Sequence, residues 1–241
     1  MRRSSAVGDC SFGRPFWLPL RWAMLVLAAS GFHVRPVRAS DTDLQEWSSL
    51  ALSGRIARRW RASLEVQTRW VDDIRHSERI GLRPTLGYQV GPGLTVGVGL
   101  VWQHFANPAA PDEYRPTEFV QYQHPLGKLT LSHRGALEQR TFGDGSPVIH
   151  RYRQQIKLTV PLNHDRRWEA VASAEAIFNL NAAGARAEAG FERERFYAGL
   201  RRTLGKHWKL EGGYQFDHID SPQDRPNVDI GAIRTILTYN W

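Results

Sequence analysis

The chain has 241 residues, with 32 Lys and Arg against 24 Asp and Glu, a formal charge of +8, and one cysteine. A single thiol excludes a disulfide framework and any Cys-based zinc site. The basic excess, which would suit a nucleic-acid partner, sits mostly in the first forty residues, so no nucleic acid is expected.

Residues 1 to 39 read as a secretory signal peptide. Arg2, Arg3, Arg14 and Arg21 precede the apolar run AMLVLAASGF, and Val37 and Ala39 are the small residues expected before a cut. The run is about half the roughly 20 residues that a membrane-spanning helix needs. Cys10 lies ahead of it, where a lipoprotein acceptor would not be, and a misplaced start codon is an alternative explanation of the long basic lead. Cleavage removes six arginines and one aspartate from the 32 basic and 24 acidic side chains and leaves 26 against 23. Residues 40 to 241 then make one domain of ordinary size.

That domain alternates with a period of two almost throughout, which predicts strands. In RASLEVQTRW, Leu64, Val66, Thr68 and Trp70 oppose Ser63, Glu65, Gln67 and Arg69. ERIGLRPTLGY sets Ile80, Leu82, Pro84, Leu86 and Tyr88 against Arg79 and Arg83, and LTVGVGLVW continues the pattern. Further on, LTLSHRGALEQR, RYRQQIKLTV, WEAVASAEAIFN and WKLEGGYQFD each carry one charged and one apolar row. The tail NVDIGAIRTILTYNW places Ile233, Leu237, Tyr239 and Trp241 opposite Arg234, Thr238 and Asn240.

At roughly 10 to 13 residues these strands match the tilted segments that cross a bilayer. GPG, LGK, NHDRR and the second LGK are tight connections; DDIRHSE, ANPAAPDEYRP, GDGSPVIH, LNAAGA and DSPQDRPN read as longer ones. Short turns at one end and long loops at the other is the wiring of outer-membrane barrels. Aromatic residues gather at both ends. Trp60, Tyr88, Tyr122, Trp168, Trp208, Tyr239 and Trp241 fall beside the short turns, and Trp70, Trp102, Phe119, Tyr152, Phe178 and Phe216 beside the long loops. Two such girdles suit the two membrane interfaces.

The succession from EWSSLAL through LEVQTRW, LRPTLGYQV, RGALEQR, ASAEAIFN and LEGGYQFD to the closing strand resembles the bacterial outer-membrane barrel family catalogued as domain of unknown function 2490. Arg83-Pro84 before Gly87-Tyr88, Glu138-Gln139-Arg140 and Glu175 carry the likeness. The resemblance implies an all-β, antiparallel transmembrane barrel in the bacterial outer membrane, and no established activity. Its partners would be outer-membrane lipids and lipopolysaccharide. By resemblance to outer-membrane proteins generally, the aromatic-ended closing strand is a signal for the barrel-assembly machinery.

The strand count is irregular. Eleven segments can be read, which would force a parallel closing pair, whereas bacterial single-chain barrels normally have an even number. Either ten strands close and residues 44 to 54 add on or enter the lumen, or one strand is hidden, with 106 to 124 as its place. The expectation is 10 to 12.

With the apolar rows outside, the lumen would receive Arg61, Glu65, Arg69, Arg79, Arg83, Arg134, Glu138, Arg140, Arg151, Arg153, Lys157, Glu169, Glu175, Lys209, Glu211 and Arg234. Two readings stay open: an ion-paired filling that stabilises a hollow barrel, or a narrow conduit for small polar or anionic solutes. A lipid- or lipopolysaccharide-modifying enzyme is the rival class. Ser132 and His133 are adjacent, which in a strand sends them to opposite faces, and neither a Gly-x-Ser-x-Gly elbow nor a His-Glu-x-x-His motif is present. No catalytic residue and no cofactor are therefore assigned. His76, His104, His150 and His218, with Asp72, Asp73, Asp112, Asp217 and Asp220, read as a solvated rim, and no metal ligands are assigned.

Overall fold

A computed structural model describes residues 44–221 and 226–241. The signal-peptide reading of residues 1 to 39 lies outside the described residues. Eleven strands make up the fold: β1 (Leu44–Arg55), β2 (Trp60–Val71), β3 (His76–Gly91), β4 (Leu94–Phe105), β5 (Glu113–Leu126), β6 (Leu129–Phe142), β7 (Ile149–Pro161), β8 (Trp168–Asn179), β9 (Gly190–Leu204), β10 (Trp208–Ile219) and β11 (Val228–Asn240). Each neighbour pair in the chain is antiparallel, and the sheet closes into a barrel through β1 and β11.

The closing pair is parallel, with Leu44 beside Gly231 and Ser53 beside Asn240. Neither repair of the odd count is used. Residues 44 to 54 are a wall strand, paired to β2 on one side and β11 on the other. Closure removes both free edges, so the unpaired N–H and C=O groups an open sheet would present are satisfied. An odd number of up-and-down strands can close only with one parallel seam.

The stretch 106 to 124 holds no hidden twelfth strand: from Glu113 onward it is β5. DDIRHSE, expected as a long loop, is a tight turn over residues 72–75, because β2 and β3 run on to Val71 and His76. Asp72, Asp73 and Ile74 take positive φ there, at 57°, 54° and 65°. The two aspartates tolerate that conformation far better than the β-branched Ile74 does. At the opposite end, Gly93 and Gly205 hold the tight turns at φ 71° and 70°, a conformation that only glycine adopts without steric cost.

Register fixes two faces. The ladder from Arg69 runs through Arg79 and Phe105, and that from Glu65 through Arg83; Glu138 pairs with Arg151, and Glu175 with Arg195. All of these point inward. The outer face carries Leu64, Val98, Val120, Leu137, Ile156, Leu200, Leu210 and Ile233, each more than a third exposed. The interior is the polar side: Glu113, Gln215 and Asp217 are each 1% exposed. That inversion, apolar outside and charged inside, is the arrangement of a barrel in a hydrocarbon solvent.

Candidate functional site

The interior is lined by alternate residues of every strand, and its ion pairs form a belt around β5 to β10. Glu113 accepts from Arg115 at 2.6 Å and from Arg140 at 2.5 Å. Glu138 accepts from Arg151 at 2.8 Å and Arg153 at 2.7 Å, with Arg115 3.8 Å away. Arg153 reaches on to Glu175 at 2.7 Å, and Glu175 meets Arg195 at 3.3 Å. Asp217 then takes Arg195 at 2.7 Å and Arg193 at 3.2 Å. Each of these acids bridges two arginines of the same or adjacent strands, so none of the four carboxylates is left alone.

Arginine also contacts aromatic rings inside. Trp47 of β1 lies under Arg69 at 4.6 Å and Arg195 at 5.2 Å, so it joins β2 to β9 across the interior. Arg69 in addition donates to Gln45 at 2.6 Å and pairs with Glu78 at 2.9 Å. Nearer the short turns, Arg134 sits 4.0 Å over Phe119 and Arg234 5.2 Å over Tyr197. Among the described residues, Arg134, Lys157 and Arg234 have no acid within ion-pair distance, whereas Arg83 pairs with Glu65 at 3.5 Å and Arg201 with Glu211 at 2.5 Å.

A cavity of about 160 Å³ remains between these side chains. That is well above the roughly 10–15 Å³ that one water requires. Ten of its lining residues are arginines, Arg69, Arg79, Arg83, Arg115, Arg140, Arg151, Arg153, Arg193, Arg195 and Arg234, and Glu175 is the acid among them. Among the described residues, all of these arginines but Arg234 also pair with an acid.

Glu65, Arg69, Arg83, Arg134, Glu138, Arg140, Arg151, Arg153, Glu175 and Arg234 all occupy inward register positions. The interior also contains residues that the alternation had not singled out: Glu113 and Arg115 on β5, and Arg193, Arg195 and Arg201 on β9. β5 was masked by irregularity, and FERERFY presents charges on both faces, so its inward row is hard to separate. Two readings are corrected. Asp217 is not at the rim but buried against Arg193 and Arg195, and Phe119 is not in a girdle but points inward, 7% exposed. The reason for Phe119 is the adjacent Gly97, where a β-carbon would run into its ring.

Trp60 and Tyr88 pack at 4.9 Å on the outer face, as do Trp208 and Tyr239. Trp168 lies under Arg202 at 5.1 Å, and Trp241 is half exposed. At the other end, Trp70 faces out and the Trp102 indole donates to Asp112 at 3.1 Å. The rim histidines are tied to separate partners: His76 to Asp72 at 2.9 Å, His104 to Asp112 at 2.7 Å and His218 to Asp229 at 2.6 Å, while the His150 backbone donates to Asn181. Their hydrogen bonds hold Asp112, in the β4–β5 loop, below the usual carboxylate range, His104 being the main cause and Trp102 the second. Ser132 pairs in register with Lys157 on the inner face, and His133 stacks on His124 outside, ring centres 5.9 Å apart.

The family of proteins of unknown function DUF2490 matches residues 44–228. An uncharacterised protein of Methylorubrum extorquens is 28% identical over 206 residues, which is 81% of this chain and 88% of that protein. Among solved structures, the NanC porin superposes with a TM-score of 0.53 at 11% identity, covering 83% of this chain and all of the other. The KdgM porin gives 0.42 at 11% identity over 79% of this chain and 96% of its own.

Proposed function

The chain belongs to the DUF2490 family, and from that premise and its arginine-lined interior we propose an outer-membrane barrel that passes small anionic solutes. The observation that carries the reading is the lining of the cavity, ten arginines against Glu175. Arg134 and Lys157 extend this excess toward the short-turn end, where, with Arg234, they would offer a passing carboxylate or phosphate donors not already committed to an acid. A passive channel needs sites that attract its solute but release it, and guanidinium groups already sharing carboxylates on the belt are weaker traps than free ones.

Location in the outer membrane is supported by the exposed apolar rows, the paired aromatics and the strand length. A strand of 12 residues rises about 40 Å at 3.3 Å per residue. Tilted by about 40°, it covers the roughly 25 Å apolar band of such barrels with room at both interfaces. In this setting the short turns lie in the periplasm and the longer loops outside. Lipid and lipopolysaccharide are its surroundings, and the barrel-assembly machinery inserts it.

The belt of ion pairs favours a second reading, a structural barrel whose interior is filled. Planar-bilayer recordings separate the two. Discrete conductance with a reversal potential displaced toward the chloride equilibrium in a KCl gradient is expected; a bilayer that stays sealed leaves the structural barrel. A lipid-modifying enzyme would instead release fatty acid or altered lipopolysaccharide when the purified barrel is incubated with those lipids.

A further inference from the structure

One sector of the outer face breaks the apolar rule. Glu118, in the middle of β5, points outward and is exposed, between Pro116 and Val120. Gln139 of β6 donates to its Oε2 at 3.1 Å. On the next strand the Tyr152 hydroxyl donates to the Gln154 carbonyl at 2.6 Å, leaving the Gln154 amide nitrogen only a long 3.4 Å bond to the Gln155 backbone. Between these groups Gly135 has no side chain, and a β-carbon there would stand 3.4 Å from the Tyr152 hydroxyl.

The same sector holds an apolar groove of about 710 Å³, walled by Trp60, Tyr88, Val98, Leu137 and Tyr152 with Glu118 on its margin. Val98 and Val120 are 53% and 52% exposed beside it. The neighbouring wall is different. On β8 the outward row is Ala170, Ala172, Ala174 and Ala176, flat and without polar atoms.

A carboxylate facing hydrocarbon is destabilising in a depth-dependent way, and one amide hydrogen bond engages only one of its oxygens. The sector therefore presents an acceptor, Glu118, and underused amide donors, Gln139 and Gln154, on one surface. A surface that contains both halves of a hydrogen-bonding pair is complementary to itself, which is the requirement of a two-fold contact. In hydrocarbon, close packing and interhelical-type polar contacts, not the hydrophobic effect, drive association. A groove with protruding Val98, Val120 and Leu137 beside it supplies the packing.

We propose that the β4–β7 outer face docks against the same face of a second copy of this chain in the membrane, with the Glu118 carboxylate accepting from an amide of that copy. The inference rests on the membrane location proposed above and is independent of what the interior conducts.

The test is site-directed crosslinking in native membranes, in a Cys10→Ser background so that the introduced thiol is alone. Leu137→Cys is expected to give a covalent dimer on oxidation, and Ile233→Cys, on β11 across the barrel, a monomer. Adding Glu118→Leu and Gln154→Leu to the Leu137→Cys protein should cut its dimer yield at least fivefold. Recovery in the outer-membrane fraction and heat-modifiable migration are read on the same samples. A protein absent from that fraction overturns the membrane reading. A folded, membrane-borne barrel that stays monomeric, crosslinks equally at Ile233→Cys, or dimerises undiminished without Glu118 and Gln154 overturns the docking alone, as does a lipid chain seated in the groove of a monomer.

Discussion

The Trp241 indole fills the space where a β-carbon on Gly54 would stand. The two residues meet across the parallel seam, one on β1 and the other just past β11, and the Trp241 backbone N–H donates to the Ser53 carbonyl at 3.2 Å. The ring can lie over β1 only because position 54 has no side chain. Glycine there is a packing requirement of the closure and not a turn residue.

Gly54→Val should therefore weaken the seam by about 1–3 kcal/mol, the usual cost of forcing bulk into a packed site. Urea unfolding of the detergent-folded barrel measures it. Trp241→Ala in the same chain should return part of the loss, because the clash goes with the ring; strictly additive effects of the two changes would show that the contact carries no energy.

Most of the strands are visible in the sequence because they have an outward row and an inward row of opposite chemistry, as in RYRQQIKLTV. Their number stayed open at 10 to 12, because alternation alone could not decide that an odd count is accommodated by a parallel β1–β11 pair. β5 was obscured because its outward row contains Pro116 and Glu118 and its inward row Phe119, an inversion that makes sense only beside Gly97 and the outer groove. Alternation gives the inward direction of Glu138 or Arg153. It does not give the belt, since which acid meets which arginine depends on the stagger between strands: Arg151 reaches Glu192 on β9, two strands away. Asp217 read as a rim residue for the same reason, its position in EGGYQFDHID suggesting the end of a strand while the pairing carries it inside to Arg195.

Glu138 is the acid that bridges Arg151 and Arg153 beside Arg115. Glu138→Leu leaves three buried guanidinium groups short of their counter-charge. Removing one partner of a buried pair costs about 3–5 kcal/mol, so this variant should fold poorly or unfold at much lower urea. Glu113→Gln, which leaves Arg115 still near Glu138, should lose less. Equal stability of Glu138→Leu and the parent would mean that the belt is solvated and not a structural element.

Arg134 and Arg234 lean on Phe119 and Tyr197 and, among the described residues, have no acid within ion-pair distance. Replacing both with glutamate reverses the field that a passing ion meets. One unit charge at 4 Å contributes about 1 kcal/mol even in bulk water, so the chloride-to-potassium permeability ratio should fall at least about fivefold. Reversal potentials in a KCl gradient report it directly, and an unchanged ratio would place these arginines off the ion path.

Acid should loosen the long-loop rim. Asp112 is held below its ordinary value of 3.8 by the hydrogen bonds of His104 and Trp102. A depressed carboxylate contributes fully above its unfolded value, and the contribution disappears as pH falls through the lower folded one. Below about pH 4 the Trp102 indole should lose its partner. Subtracting the fluorescence of Asp112→Asn from that of the parent across this range isolates the transition, and a flat difference would mean that the clasp is not formed in solution.

Trp47 is the aromatic residue that lines the cavity. It is 7% exposed and lines the cavity together with Arg69 and Arg195, 4.6 and 5.2 Å from its ring. Trp47→Ala removes a large uncharged side chain from the proposed anion route and also two cation–π contacts worth about 0.5–2 kcal/mol each. Conductance should rise at least twofold if Trp47 stands in the path, and the barrel should become easier to unfold. Trp47→Phe keeps an aromatic face for both arginines while shortening the ring, so its stability should stay near that of the parent and its conductance fall between the two. If Trp47→Ala conducts as the parent does while losing stability, the ring is a brace for Arg69 and Arg195, and the narrow point of the passage lies lower, between Arg134 and Arg234.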